Sequence, residues 1–169
     1  METGGVPDRV RRAVEALSIR PADRVLEVGC GNGGAVSLIC ERLRSGRILA
    51  IDRSTPMIAL AKQRNEKHIA SGKASFRAID LIALPAAETF DKIFAVNVNT
   101  FWRRPVSREL ALLKKLLRPK GSLYLFFESP APHAHDLAAR VMKSLEPNGW
   151  SAESTHLDGK VMLVTAQPA

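Results

Sequence analysis

This sequence is short of the features that mark several protein classes. It has only two cysteines, Cys30 and Cys40, which match no CxxC or metal-ligand spacing and are too few for a disulfide scaffold. Reduced thiols are the expectation. No uninterrupted apolar run is long enough to span a bilayer, and the first segment, METGGVPDRVRR, carries charge where a secretory signal needs its hydrophobic stretch. A cytoplasmic protein with no membrane partner follows as the expectation. Internal repeats, low-complexity tracts and linkers are missing, and 169 residues leave room for one domain, 1–169, but not for a cofactor domain beside a substrate domain. Aromatics are sparse at 5%, and acids are outnumbered, with 17 Asp and Glu against 25 Lys and Arg.

What the chain does have is the composition of a globular protein, with 46% hydrophobic and 25% charged residues. The net charge of +8 and a pI near 10.0 bring acidic partners into view, RNA, DNA or anionic metabolites. An Arg-rich surface with no such role is the alternative.

Apolar strand-like runs alternate with segments of helical period, the rhythm of a parallel sheet covered on both faces. A first helix is expected over Pro7 to Ile19, with Val6, Val10, Val14 and Leu17 on one stripe. Arg24 to Val28 reads as a buried strand that runs into Gly29-Cys-Gly-Asn-Gly-Gly34. Val36, Ile39, Cys40 and Leu43 then mark a second helix, stopped at Ser45-Gly46. Arg47 to Ile51 is the second strand, ending at Asp52. A third helix opens at Pro56 and is expected to fade near Ser71-Gly72. Ala74 to Ile79 and Asp91 to Val96 are the next strands. Pro105 opens a helix halted by Arg118-Pro-Lys-Gly121, and Ser122 to Phe127 is the fifth strand. A last helix from His133 to Leu145 precedes two strands, Ser151 to Leu157 and Lys160 to Ala166, around the turn signal Asp158-Gly159. The expected fold is α/β: a three-layer αβα sandwich with a doubly wound, seven-stranded, mostly parallel sheet and a C-terminal antiparallel hairpin strand. Residues 1–20 hold the first helix, 21–100 a cofactor-binding half and 101–169 a substrate-side half.

In such sheets ligands bind beyond the carboxyl ends of the strands, where strand order reverses. The glycine loop lies there. Its glycines permit a sharp turn and close approach of a ligand, with a helix N-terminus behind. Spacing alone is ambiguous, because Gly29, Gly31 and Gly34 fit GxGxxG for dinucleotides while Gly29, Gly31 and Gly33 fit GxGxG. Glu27 weighs against the first. An acid at that strand position repels a pyrophosphate and suits a ligand carrying a cationic amino group.

Val25-Leu-Glu-Val-Gly-Cys-Gly-Asn-Gly33 resembles motif I of the class I S-adenosylmethionine-dependent methyltransferases. Further segments resemble that family's motifs in order: Ile48-Leu-Ala-Ile-Asp52 motif II, Phe76-Arg-Ala-Ile-Asp-Leu81 motif III, Phe90-Asp-Lys-Ile-Phe-Ala-Val-Asn97 motif IV, and Leu117-Arg-Pro-Lys-Gly-Ser-Leu-Tyr124 the strand-five motif. The resemblance implies S-adenosyl-L-methionine as cofactor and S-adenosyl-L-homocysteine as product. It implies that Gly29, Gly31 and Gly33 wrap the methionine part, with Cys30 a small residue of the same loop, while Glu27 orients the polar groups. Asp52 would accept both ribose hydroxyls. Arg53 and Met57 would flank the adenine, Asp80 would accept from its amino group with Leu81 packing nearby, and Asn97 would sit beside the amino acid portion and the methyl group. Capping is the alternative role for Asp52 and Asp80.

The acceptor side is less legible. The segment Asn97-Val-Asn-Thr-Phe-Trp-Arg-Arg104 lacks the Asn/Asp-Pro-Pro-aromatic tetrapeptide of amino-methylating DNA adenine enzymes, which argues against that activity. Asn99 lies in this loop. Phe101 and Trp102 either wall an apolar or aromatic acceptor pocket or pack under the next helix, and Arg103 and Arg104 either bind an anionic group or are solvated. Asn97, His133 and His135 are the weak candidates for catalytic chemistry. The two histidines titrate near neutral pH, but two residues apart on a helix they point away from each other and no further ligand has matching spacing, so no metal is expected. The expected function is methyl transfer to a small molecule, anionic or aromatic, by a monomer or homodimer. An RNA methyltransferase, suggested by Arg9, Arg11, Arg12, Arg103, Arg104, Lys114 and Lys115, and a noncatalytic cofactor-binding module are the other readings.

Overall fold

The computed structural model describes residues 5–129, 133–158 and 160–169, without the side chain of Asp158. Seven strands form one sheet: β1 (Arg24–Val28), β2 (Arg47–Asp52), β3 (Ala74–Ala78), β4 (Phe90–Val96), β5 (Leu117–Glu128), β6 (Trp150–Asp158) and β7 (Val161–Pro168). Their order is β3-β2-β1-β4-β5-β7-β6, with β7 antiparallel to both neighbours and the others parallel to one another. Strand order reverses between β1 and β4, with β2 and β3 on one side and β5 on the other, which opens a crevice at their carboxyl ends.

The central strands are apolar on both faces because helices cover both. Val25, Ile48, Ala50, Phe94 and Phe126 pack against α1 (Asp8–Ala16), α2 (Gly34–Arg42) and α3 (Thr55–Arg64). The alternate residues Leu26, Leu49, Ile51, Ile93, Ala95, Leu125 and Phe127 pack on the other face. Their partners there include α6 (Ser107–Leu116) and α7 (His133–Leu145). Edge strand β3 buries only Ala74 and Phe76. Two short helices complete the set, α4 (Glu66–Ala70) and α5 (Thr100–Arg103).

Several boundaries differ from expectation, each for a local reason. The first helix ends at Ala16, and Ser18 turns with φ 47°. The third helix breaks at the fully buried Asn65, whose side chain bonds elsewhere, so α3 and α4 replace one long helix. Pro105 opens no helix but separates α5 from α6, which starts at Ser107. Strand β5 begins at Leu117, where that residue pairs with Phe90 before a register shift, rather than at Ser122. The hairpin forms with Asp158 opposite Val161, and the turn residue Gly159 lies outside the described residues.

Candidate active site

The glycine loop is held from three sides. The backbone N–H groups of Gly29 and Cys30 donate to the Ile51 carbonyl at 2.8 and 3.0 Å, tying the loop to the end of β2. Gly29 and Gly33 have φ near +75°, and a Cβ on Gly29 would lie 2.6 Å from the Val98 side chain. Gly31 also has positive φ, yet nothing lies within 4 Å of where its Cβ would be. That open space faces the crevice. Behind the loop, Asn65 donates to the carbonyls of Gly33 at 3.1 Å and Ala61 at 2.9 Å and accepts from the Ser37 hydroxyl at 2.8 Å. Asn65 positions the loop, and the sequence reading missed it. Its signal was a polar side chain interrupting the α3 period.

Two cavity lobes of about 300 and 270 Å³ meet at Gly29, Val96 and Asn97. The larger lobe is lined by Asp52, Arg53, Asp80 and Leu81 on one side and by Asn97, Asn99, Phe101 and Glu109 on the other. Asp52 accepts the Gly31 N–H at 2.9 Å on one oxygen and the Ser54 N–H at 2.9 Å on the other. Each oxygen keeps a second acceptor site open. Asp80 caps the turn that follows β3 through the Ile82 N–H at 3.2 Å, and Arg53 reaches it at 3.8 Å. The capping roles are therefore real, and they leave both carboxylates at the lobe. Met57 is exposed on the first turn of α3, outside the lining.

The smaller lobe is lined by Glu27, Gly29, Cys30, Gly31 and Asn97 together with Arg9 from α1. Glu27 is buried, and its Oε2 has no hydrogen-bond partner. Burial, then the neighbouring Asp52 charge, pushes its carboxyl up to about 8. An acid so placed holds its proton until a cation offsets the cost of charging it. The Cys30 thiol is raised by burial and by Glu27 and Asp52, far from the range of a nucleophile. Asn97 adopts a left-handed φ of 54°, and its Oδ1 accepts the Glu128 N–H at 2.8 Å across to β5.

The substrate-side candidates separate in space. Phe101 is buried and lines the larger lobe, as does the more exposed Asn99. Trp102 packs edge-on against Phe127, ring centroids 5.8 Å apart. Arg104 is clamped on the buried Glu109 at 2.6 Å, and Arg103 is exposed and lines neither lobe. His133 and His135 are exposed at the start of α7, with the His135 ring stacked 5.8 Å from His156, and neither lines the cavity. Among the described residues no three His, Cys, Asp or Glu side chains are grouped to hold a metal.

A family model described as "Methyltransferase domain" matches residues 25–121. The malonyl-[acyl-carrier protein] O-methyltransferase of Priestia megaterium is 32% identical over 99 residues, covering 59% of this chain and 34% of that protein. The trans-aconitate 2-methyltransferase of Azoarcus sp. is 31% identical over 160 residues, covering 85% of this chain and 60% of that protein. This chain thus spans less than two thirds of the length of either relative. In fold, it is similar to a SAM-dependent methyltransferase from Aquifex aeolicus, with a TM-score of 0.79 at 18% identity over 97% of this chain and 91% of that one. With the matched segment running through the glycine loop, Asp52, Asp80 and Asn97, and with this sheet order, the chain belongs to the class I S-adenosylmethionine-dependent methyltransferase family.

Proposed function

We propose that this protein transfers a methyl group from S-adenosylmethionine to a small-molecule acceptor, releasing S-adenosylhomocysteine. The observation that carries the reading is the unpartnered, buried carboxylate oxygen of Glu27 in a lobe floored by the glycine loop. A pyrophosphate would only raise the cost of ionising that acid, whereas a cationic amino group satisfies the orphan oxygen and offsets its desolvation.

When bound, S-adenosylmethionine supplies a methyl group on a positively charged sulfur, a charge that is lost as the methyl leaves. Glu27 and the loop glycines bind the amino acid end, and the open space at Gly31 admits the ligand against backbone. Asp52 offers the free acceptor sites of both oxygens to ribose hydroxyls, while Asp80 and Leu81 close on the adenine with Arg53 at the rim. Asn97 sits where the two lobes join, beside the point of transfer. The protein accelerates the reaction by aligning the acceptor and excluding water. Residues 21–100 supply the cofactor contacts, and residues 101–169, with Phe101 at the lobe beside Asn99, frame the acceptor. A small acceptor is supported by the name of the Azoarcus relative, a trans-aconitate 2-methyltransferase. Two free, buried thiols suit a cytoplasmic setting.

An RNA acceptor is the second reading, favoured by the charge of +8. Calorimetry with S-adenosylhomocysteine and with NADH tests the cofactor, and preference for NADH overturns the reading. Incubation with methyl-labelled cofactor and fractionated cell extract, with and without ribonuclease, tests the acceptor. Label in the small-molecule fraction is expected. Ribonuclease-sensitive label in large material favours RNA, and bound cofactor without label anywhere marks a noncatalytic module.

A further inference from the structure

Arg9 stands out among the basic residues. Five of the others are held in ion pairs outside the smaller lobe: Arg24, Arg47 and Arg77 converge on Glu88, Arg118 holds Asp91, and Arg104 holds Glu109. Arg9 alone, of the Lys and Arg side chains described, lines the smaller lobe, where Glu27 is buried. It comes from α1 and pairs with Glu128, at the end of β5, at 3.6 Å. That separation is too long for a hydrogen bond, and the two side chains are 43% and 36% exposed. A pair so exposed and so loosely made is weak and exchangeable. The fork of a guanidinium is built to take a carboxylate through two parallel hydrogen bonds, and Glu128 fills that fork poorly. Glu128 is itself fixed, because its backbone N–H donates to Asn97, the residue shared by both lobes. The weak pair therefore links Arg9, on the wall of the smaller lobe, to a residue tied to Asn97, where the two lobes join.

We infer that Arg9 is the carboxylate-binding residue of this site, that Glu128 occupies it in the empty protein, and that a ligand carboxylate displaces Glu128 from the guanidinium. The inference rests on the methyltransferase reading and deepens it. Two ligands bring a carboxylate to this lobe, the amino acid end of the cofactor and an acidic acceptor. In the first case Glu27 and Arg9 together grip the two opposite charges of one amino acid head group. In the second, Arg9 selects acceptors that carry an acid and disfavours neutral ones. No bond is made or broken in either case; one ion pair is exchanged for another.

The exchange has a signed consequence. Arg9→Gln removes the receptor, and Glu128→Gln removes its internal competitor, so the two variants shift carboxylate affinity in opposite directions. S-Adenosylhomocysteine is titrated into wild type and both variants, and trans-aconitate, citrate and malonate are then titrated into each protein saturated with S-adenosylhomocysteine. Thermal melts of the empty proteins check folding, and Arg9→Lys serves as a conservative rescue. Loss of one charge-assisted contact corresponds to about a tenfold weakening. If Arg9→Gln weakens S-adenosylhomocysteine to that extent while Glu128→Gln tightens it, the carboxylate is the cofactor's. If S-adenosylhomocysteine binding is unchanged but an acid that wild type binds is lost in Arg9→Gln and gained in Glu128→Gln, the carboxylate is the acceptor's. Unchanged S-adenosylhomocysteine binding in both variants, with no acid discriminating among the proteins, overturns the inference. So does equal weakening in both variants, the result of a merely structural pair. A wild-type protein that binds no S-adenosylhomocysteine fails the underlying methyltransferase reading instead, a result distinct from these.

Discussion

Glu27 and the loop glycines separate the cost of folding from the gain of binding. Between about pH 4.5 and about pH 8 the folded protein retains a proton on Glu27 that the unfolded chain has released. Stability therefore falls as pH rises through that window. Glu27→Gln removes that slope in denaturant titrations run across the same range. Because a bound cation favours the ionised carboxylate, S-adenosylhomocysteine binding to wild type should tighten with rising pH up to about 8 and release a proton near neutrality. Calorimetry in buffers of different ionisation enthalpy counts that proton, and Glu27→Gln should bind at least tenfold more weakly, about 1.5–3 kcal/mol for a charged hydrogen bond. The glycines make a complementary pair. Gly29→Ala places a methyl 2.6 Å from Val98 at positive φ and should cost stability by about 2 kcal/mol or more. Gly31→Ala meets no protein neighbour, so its stability cost is limited to the strained backbone, about 1 kcal/mol, while cofactor binding falls steeply. Melting curves and S-adenosylhomocysteine titrations of the two variants read both quantities.

At the scale of elements, the site depends on side chains that tie helices to the sheet. Asn65 ends α3 and grips the glycine loop in one stroke. A similar staple fixes the far end of α1. Buried Lys92 on β4 donates to the Ser18 carbonyl at 2.7 Å and to Asp23 at 2.8 Å. Burial raises the Asp23 carboxyl, but the hydrogen bond from Lys92 and the N–H of Arg20 outweigh it and leave the group below its ordinary value. The stability contributed by Asp23 is thus present above that ordinary value and lost as pH falls through the lowered one. Lys92→Ala strands a buried carboxylate and should destabilise by about 3–5 kcal/mol, whereas Lys92→Met with Asp23→Asn should recover much of that loss. Denaturant midpoints of the single and double variants decide it. Since α1 carries Arg9 and Val10 into the smaller lobe, the single variant should also weaken ligand binding there.

Over the whole molecule, where the net charge is +8, five arginines are held by only three acids, Glu88, Asp91 and Glu109. Three arginines share Glu88, which lines neither lobe, and of the cationic side chains only Arg53 and Arg9 line the two lobes among the described residues. Retention of mixed RNA at low salt should accordingly be weak and fall steeply as salt is added, without competition from S-adenosylhomocysteine. Filter binding over a salt series checks this, and RNA binding that S-adenosylhomocysteine modulates would move the acceptor to the RNA reading.

The succession of strands and helices, the two-faced core and the crevice followed from the sequence because they rest on local signals: β-branched and apolar runs, helical periods, and glycines where the chain must turn. The same signals put Glu27 and Asp52 at the ends of strands and Gly31 and Asp80 in the loops that follow β1 and β3. Side-chain pairing across the fold was not legible, because it joins residues far apart in the chain. Only the tertiary structure placed Arg104 on Glu109, turned Trp102 onto Phe127, left His133 and His135 outside the two lobes, and brought Arg9 of the first helix to the smaller lobe and to Glu128. A cofactor cradle is made by the path of the backbone and so is written in spacing. The acceptor side is made by which side chains meet, and packing decides that.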